Sequence, residues 1–308
     1  MKINKILITG ASGFVGTEFC KGLVQKGYDI VPAVRSNTEK TGEIDYLQVG
    51  DLTESIDWTP LLKGVDVVVH LAGRAHILKE GSTNPLESYR AVNTIPTIRL
   101  GEKSLASQVK RFIFVSTIGV NGSATNSAPF KYSDRDSPNS DYAISKQEAE
   151  LGLKKIFRST ATELVILRPP LIYGPDAPGN ISLLIKYLRF GIPLPLDFIK
   201  NKRSFLALTN FVDILEICMH HPSAANKTLL ISDGQSISTS DFIRLIAKEH
   251  NIEPRLFKAP TLMFNLLFKL VQKEGTFSSL FGDLEVDSEE TFKLLKWYPK
   301  YSPLKDIK

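Results

Sequence analysis

A doubly wound α/β fold is expected, with a parallel sheet covered by helices on both faces and a smaller C-terminal region. Two observations carry this. Over the first half of the chain, short apolar runs alternate with longer segments of helical period, the order that builds βαβ units. The runs are continuously apolar rather than alternating, as in strands buried on both faces.

Lys5–Thr9 is the first strand, followed by a helix over Thr17–Lys26 that stops at Gly27. Asp29–Val34 is the second strand, kept despite Pro32, which cannot donate to the ladder. Tyr46–Val49 is a short third strand and Val65–Leu71 a buried fourth. A helix covers Leu86–Ser107, with Pro96 as the expected kink. Phe112–Ser116 and Leu164–Leu167 are further strands, separated by a helix over Tyr142–Phe157. After Arg168 prolines cluster at 169, 170, 175, 178, 193 and 195. Helical segments and short strands follow at Leu183–Phe190, Val212–His220, Thr228–Ile231 and Ser240–His250. The change of texture divides the chain into 1–170 and 171–308, with some later segments returning to the first region.

Composition narrows the function classes. The 308 residues are 43% hydrophobic and 23% charged, which excludes a disordered or fibrous chain. Lys+Arg of 38 against Asp+Glu of 33 is a mild, scattered excess. It suits anionic small molecules and is not a nucleic-acid footprint. Cys20 and Cys218 are too few for a disulfide framework or a cysteine zinc site, and the histidines form no HExxH, so no metal is expected. Gly10, Ser12 and Gly13 interrupt the first apolar run too early for a signal core. No run reaches the ~20 apolar residues of a membrane span. A cytoplasmic protein is expected. The apolar stretch 261–284 reads as packing or a dimer contact, with peripheral membrane contact as the alternative.

The first chemical signal is Gly10-Ala11-Ser12-Gly13-Phe14-Val15-Gly16 between a strand and a helix. Glycines let backbone approach a pyrophosphate, and the helix N-terminus offers free N–H groups and positive dipole. Here Gly10, Ser12, Gly13, Phe14, Val15 and Gly16 are the cofactor-binding candidates, although the spacing is GxxGxxG rather than GxGxxG. The second strand runs into Arg35-Ser36, where an acid would read the ribose of NAD. A guanidinium suits a 2′-phosphate, so NADP(H) is favoured, with NAD(H) the alternative. Asp51-Leu52 is placed against the adenine, and Leu71-Ala72-Gly73 ends the fourth strand with little bulk beside the cofactor. His70 reads as a core histidine.

Tyr142 and Lys146 lie four apart, on one face of a helix. An ammonium beside a tyrosine favours the phenolate and makes it a proton shuttle near neutrality. Lys146 can also bind the nicotinamide ribose. Ser116-Thr117, at the end of a strand, supplies a hydroxyl that orients a substrate oxygen.

In their order and spacing, Gly10/Gly13/Gly16, Asp51-Leu52, His70-Leu71-Ala72, Asn93, Thr117, Tyr142, Lys146 and Arg168-Pro169 through Tyr173-Gly174-Pro175 resemble the extended short-chain dehydrogenase/reductase family, in its nucleotide-sugar epimerase/dehydratase/reductase branch. The resemblance covers nearly the whole chain. It implies a seven-stranded Rossmann domain and a C-terminal substrate-binding region for a UDP-sugar. It also implies a catalytic set of Thr117 (with Ser116), Tyr142 and Lys146, and cofactor contacts from Asn93 and Pro169. Arg203 matches the arginine that grips the nucleotide diphosphate, Asn180 a phosphate or uridine contact, Asp213 a structural aspartate and Trp297 a core tryptophan. A homodimer through the helices carrying Asn93 and Tyr142 is likewise implied.

Two departures bear on the reaction. Leu171 stands where many 4-epimerases and dehydratases carry Asn, and Ile118-Gly119 follows Thr117 in place of the dehydratase acid pair. The pattern most resembles bacterial surface-polysaccharide enzymes acting at C4 of UDP-N-acetylhexosamines. The expectation is an NADPH-dependent 4-keto reductase of a UDP-4-keto-6-deoxy-N-acetylhexosamine. The alternatives are a UDP-glucose or UDP-N-acetylglucosamine 4-epimerase with retained NAD, or a dinucleotide-binding protein without turnover.

Overall fold

The computed structural model describes residues 3–36, 44–75, 84–197, 199–258 and 282–302. Most of the apolar stretch 261–284 therefore lies outside the described residues. Seven parallel strands form the main sheet, in the order β3-β2-β1-β4-β5-β6-β9. They are β1 (Lys5–Thr9), β2 (Asp29–Val34), β3 (Leu47–Gln48), β4 (Val67–His70), β5 (Arg111–Val115), β6 (Glu163–Arg168) and β9 (Lys227–Leu230). This is the expected Rossmann-like sheet. The strand order reverses beside β1, and such a switch point opens a crevice at the C-terminal strand ends.

Pro32 fits because of where its nitrogen faces. Ala33 offers its carbonyl to Ala11 on the β1 side and Val34 to Val49 on the β3 side. Alternation turns Pro32 toward the β3 side, and β3 begins pairing only at Ala33. The missing N–H therefore costs no ladder bond.

Helix α1 (Phe14–Gln25) and α6 (Leu208–His220) cover one face of the sheet around Phe19, Leu23, Phe211 and Leu215. Cys20 and Cys218 are buried in this layer as free thiols. Helices α3 (Ile95–Ala106) and α4 (Asp141–Phe157) cover the other, through Leu100, Ala149, Leu153 and Phe157. The helix expected to kink at Pro96 instead runs as α2 (Pro85–Tyr89), a π turn over Arg90–Thr94, and α3. Pro96 offers no N–H to the carbonyl of Val92 and its ring needs space, so the preceding turn widens. Ser140 caps α4 by accepting from the Ala143 N–H, with Asp141 in the first turn and Lys154 and Lys155 in the last, matching the dipole.

Three short strands escape the periodicity reading. They are β7 (Leu171–Tyr173), β8 (Arg203–Ala207) and β10 (Ser236–Ile237), which form a second sheet in the order β10-β8-β7. With α5 (Asn180–Arg189) and α7 (Thr239–Glu249) they bury their own core around Tyr173, Ile185, Phe205 and Phe242. The later segments β9 and α6 return to the main sheet. So does α8 (Glu289–Leu295), after which the Trp297 indole donates to Asp213 at 2.6 Å. No helix among the described residues is long and apolar enough to cross a membrane.

Two buried polar side chains tie the layers together. Arg111, 1% exposed, donates to Glu163 on the neighbouring strand and to the carbonyls of Cys218 and His221 at the end of α6. His70, equally buried, sits in a directed chain of hydrogen bonds. The Thr97 hydroxyl donates to the Asn93 carbonyl at 2.6 Å, so His70 Nε2 must be the donor to Thr97 at 2.8 Å. His70 Nδ1 then accepts from the Thr9 hydroxyl at 2.6 Å, whose oxygen accepts from the Ala72 N–H at 3.3 Å. Only a neutral imidazole satisfies both ends. Burial, aided by the charge of Lys146, pushes its pKa down to about 3.

Two outcomes follow. Arg111→Met leaves two helix-end carbonyls unpaired and should cost about 2–3 kcal/mol, measured by urea unfolding. Between pH 6.5 and about 3 the unfolded chain protonates His70 and the folded chain does not. Stability should therefore fall on acidification through this window by about 1.4 kcal/mol per pH unit from this group. His70→Gln should flatten that part of the slope, and an unchanged slope would refute the assignment.

Candidate active site

The glycine loop is set by contact. Gly10 has φ +69°, and a Cβ there would lie 2.8 Å from the Ala72 nitrogen. A Cβ on Gly16 would lie 2.1 Å from the Gly10 carbonyl oxygen. The loop therefore folds back onto the end of β4, and α1 starts at Phe14, three residues earlier than its periodicity indicates. No side chain caps α1 and no acid stands in its first turn. Its first N–H groups, including those of Phe14 and Val15, are left for an anion.

Beside this loop lies a cavity of about 740 Å³. Gly10, Ser12, Gly13, Arg35, Asp51, Leu52, Leu71, Ala72 and Gly73 all line it. The structure thus brings together nine residues named from four separate strand ends. Thr53 and Trp58 also line it, with no local motif to announce them. Arg35 is exposed, and its charge helps hold the Asp51 carboxyl below the usual range, after the larger effect of hydrogen bonds from Thr53. A dinucleotide fits these features: glycine backbone and an uncapped helix end for the pyrophosphate, and a polar rim for the ribose.

Gly73 joins this cavity to the helix bearing Tyr142 and Lys146. A Cβ on Gly73 would stand 3.2 Å from both Lys146 Nζ and Asn93 Oδ1. Asn93 accepts from the Arg74 N–H at 2.8 Å and donates to the Arg74 carbonyl and Ser145 Oγ. Both ends of its amide are engaged, so Asn93 shapes the loop after β4.

Lys146 donates to the Val115 carbonyl at 2.9 Å and lies over the Phe114 ring at 4.6 Å. Burial pushes its pKa down to about 8, against a smaller upward pull from Glu150. At Tyr142 burial is the larger influence. Burial, with the neighbouring Tyr89, pushes the phenol above its ordinary value. Its ring packs 5.9 Å from that of Tyr89. Desolvation wins here because Nζ is engaged with a backbone carbonyl rather than with the phenol.

Thr117 Oγ1 accepts from the Gly119 N–H at 3.1 Å, and Gly119 abuts Ala143 in the first turn of α4. Thr117 is thereby held beside the start of the helix that bears Tyr142. Ser116 is used differently. It is 3% exposed and donates to Glu150 Oε1 at 2.6 Å. Glu150 is gripped by Arg168 through two hydrogen bonds of 2.9 and 2.6 Å, and Arg168 also reaches Asp136 and Asn121. The Pro169 carbonyl accepts from the Ile118 N–H at 2.9 Å, and Pro169 is buried. Ser116, Glu150, Arg168 and Pro169 together pin α4 and the Thr117 loop to the ends of β5 and β6. The buried network was missed because its side-chain partners are 18 to 47 residues apart in sequence.

The other substrate candidates lie in the smaller region. Asn180 is exposed at the first turn of α5, and Arg203 begins β8, donating to the Gly282 carbonyl at 2.8 Å. A second cavity of about 950 Å³ shares Ser12 and Gly13 with the first and is lined by Phe14, Tyr173, Gly174 and Pro175. The Tyr173 hydroxyl donates to the buried Asp233 at 3.0 Å.

Residues 6–231 match the model of the NAD dependent epimerase/dehydratase family. A UDP-glucose 4-epimerase from Vibrio cholerae is 40% identical over 299 residues, covering 96% of this chain and 91% of the relative. The structure of MoeE5 with UDP-glucuronic acid and NAD superposes with TM-score 0.79 at 21% identity, covering 99% of this chain and 96% of that one. A UDP-glucose 4-epimerase from Thermotoga maritima with UDP-glucose gives TM-score 0.75 at 20% identity, covering 98% of this chain and 96% of that one. The parallel sheet, the glycine loop and the match over most of the chain place this protein in the NAD dependent epimerase/dehydratase family, as an enzyme of the extended short-chain dehydrogenase/reductase type.

Proposed function

We propose that the enzyme is a UDP-hexose 4-epimerase that retains a nicotinamide dinucleotide, NAD, through turnover. The observation that carries this is the 40% identity, over 96% of the chain, to a UDP-glucose 4-epimerase. It moves the balance from the 4-keto reductase expected from the motifs to the epimerase alternative. The cofactor reading moves with it. The ribose end of the cavity carries Arg35 together with Asp51, a cation with an anion, rather than a lone guanidinium for a 2′-phosphate.

The glycine loop and the start of α1 would hold the pyrophosphate, Asp51 and Leu52 the adenosine, and Lys146 the nicotinamide ribose. When bound, the dinucleotide supplies a reversible hydride acceptor at C4. This chain's residues handle the proton and the orientation. Thr117 donates to the C4 oxygen; its oxygen already accepts from Gly119, and no described residue takes its proton. Tyr142 removes that oxygen's proton as the C4–H bond breaks and returns it when hydride comes back to the other face. Its burial makes the phenolate costly, so a nearby positive charge is required. Lys146, at about 8, is mostly protonated at neutral pH and supplies it. Ser116 acts through Glu150 as a positioning residue. Residues 171–308 form the region that carries the sugar nucleotide, with Asn180 and Arg203 toward the UDP. Two copies pair across α3 and α4, where Ile95 and Leu151 are exposed.

The test is to supply UDP-glucose or UDP-N-acetylglucosamine without added cofactor and follow the C4 epimer by chromatography. Interconversion without net loss of reduced nicotinamide is expected. Stoichiometric NADPH consumption on a UDP-4-keto-6-deoxy sugar, with no epimerisation, would replace this reading by the reductase. Tyr142→Phe should lower kcat by about 10²–10⁴-fold while leaving cofactor content unchanged. Nucleotide released by denaturing the purified protein should be NAD, and Arg35→Ala should not reduce its amount. Recovery of NADP instead would restore the 2′-phosphate role of Arg35.

A further inference from the structure

A surface of the smaller region combines exposed apolar side chains with unpaired cations. Helix α5 buries Ile181, Ile185 and Leu188 and turns Leu183 and Tyr187 outward, one helical turn apart. Phe190 follows at the helix end and is 70% exposed, the highest among the large apolar residues described. Ile192 continues the surface. A bridge between Leu194 and Leu256 sets residues 255–258 alongside, adding the exposed Phe257. Single exposed apolar residues are ordinary, but a contiguous group marks an interaction surface.

The charge pattern selects the partner. Residues 180–196 and 254–258 contain Lys186, Arg189, Arg255 and Lys258 and no acid, with Asp197 and Glu253 at their borders. All four cations are exposed, and none makes an ion pair among the described residues. The nearest acid along the chain after α5, Asp197, is already paired with Arg244. Aromatic and aliphatic side chains interspersed with Lys and Arg, without acids, are what an anionic bilayer surface binds: the apolar groups enter the headgroup boundary and the cations meet the phosphates.

We propose that the α5 surface, centred on Phe190 with Leu183, Tyr187, Ile192 and Phe257, docks the enzyme on anionic membranes. This docking is peripheral and independent of the sugar chemistry. It would place the smaller region against the bilayer.

Vesicle flotation of the full chain tests it, with phosphatidylcholine alone or mixed with phosphatidylglycerol. Binding is expected to the mixed vesicles only, and to weaken in high salt. Phe190→Ser with Ile192→Ser should abolish it. Lys186→Glu with Arg189→Glu should lower the bound fraction by at least about tenfold. These side chains are exposed, so each variant should keep the wild-type thermal midpoint and turnover of soluble substrate. Absence of flotation with the mixed vesicles overturns the proposal. So does flotation that both variants retain, and so does a change in sedimentation of the free variants, which would assign the surface to contact between copies of the chain.

Discussion

Three pieces of backbone meet at the C-terminal end of β1 more closely than any side chain allows. A methyl group on Gly16 would overlap the Gly10 carbonyl, and one on Gly10 would strike Ala72. This crowding brings the start of α1 to the point where the sheet order reverses. It leaves the helix's first N–H groups without a protein partner. The residues lining the adjoining cavity are arranged around that point: Arg35 from β2, Asp51 after β3, and Leu71 to Gly73 after β4.

The catalytic side is held by buried polar groups instead. Glu150 stands one turn beyond Lys146 and is clamped by Ser116 and Arg168. Such a pair is a poor source of stability, because desolvation offsets much of the attraction. Its geometry is demanding, however, and that demand holds α4 against two strand ends. His70 and Asn93 do the same for the loop after β4, through hydrogen bonds that hold for a neutral imidazole. Site geometry and pH-dependent stability thus share the same residues.

The smaller region has two sides of different character. Toward the glycine loop the buried Tyr173 backs a cavity, anchored by Asp233, whose own pKa burial raises to about 6. Away from its core it presents the apolar and cationic face of α5. Both follow from one amphipathic arrangement: Ile181, Ile185 and Leu188 fill the core, and the intervening positions are free to serve another surface.

The parallel architecture was legible from the chain because strands buried on both faces must be continuously apolar. The ends of β1 and β2 were placed without error for that reason. The glycine loop and the Tyr142–Lys146 spacing were equally plain, since each is a local geometric demand written over a few residues. The short strands β7 and β10 were not, because neither displays a period, whereas β3 was found within the longer run Tyr46–Val49. The π turn before Pro96 was read as a kink, since sequence marks the missing N–H but not how the backbone absorbs it. Division of labour between adjacent hydroxyls lay further out of reach. Ser116 and Thr117 are chemically alike and neighbours in the chain. A carboxylate 34 residues away engages one and leaves the other beside the first turn of α4. Local chemistry names the groups able to act. Long-range burial assigns which of them are held in place and which remain free, because the energy of a buried hydrogen bond depends on partners that sequence distance does not reveal.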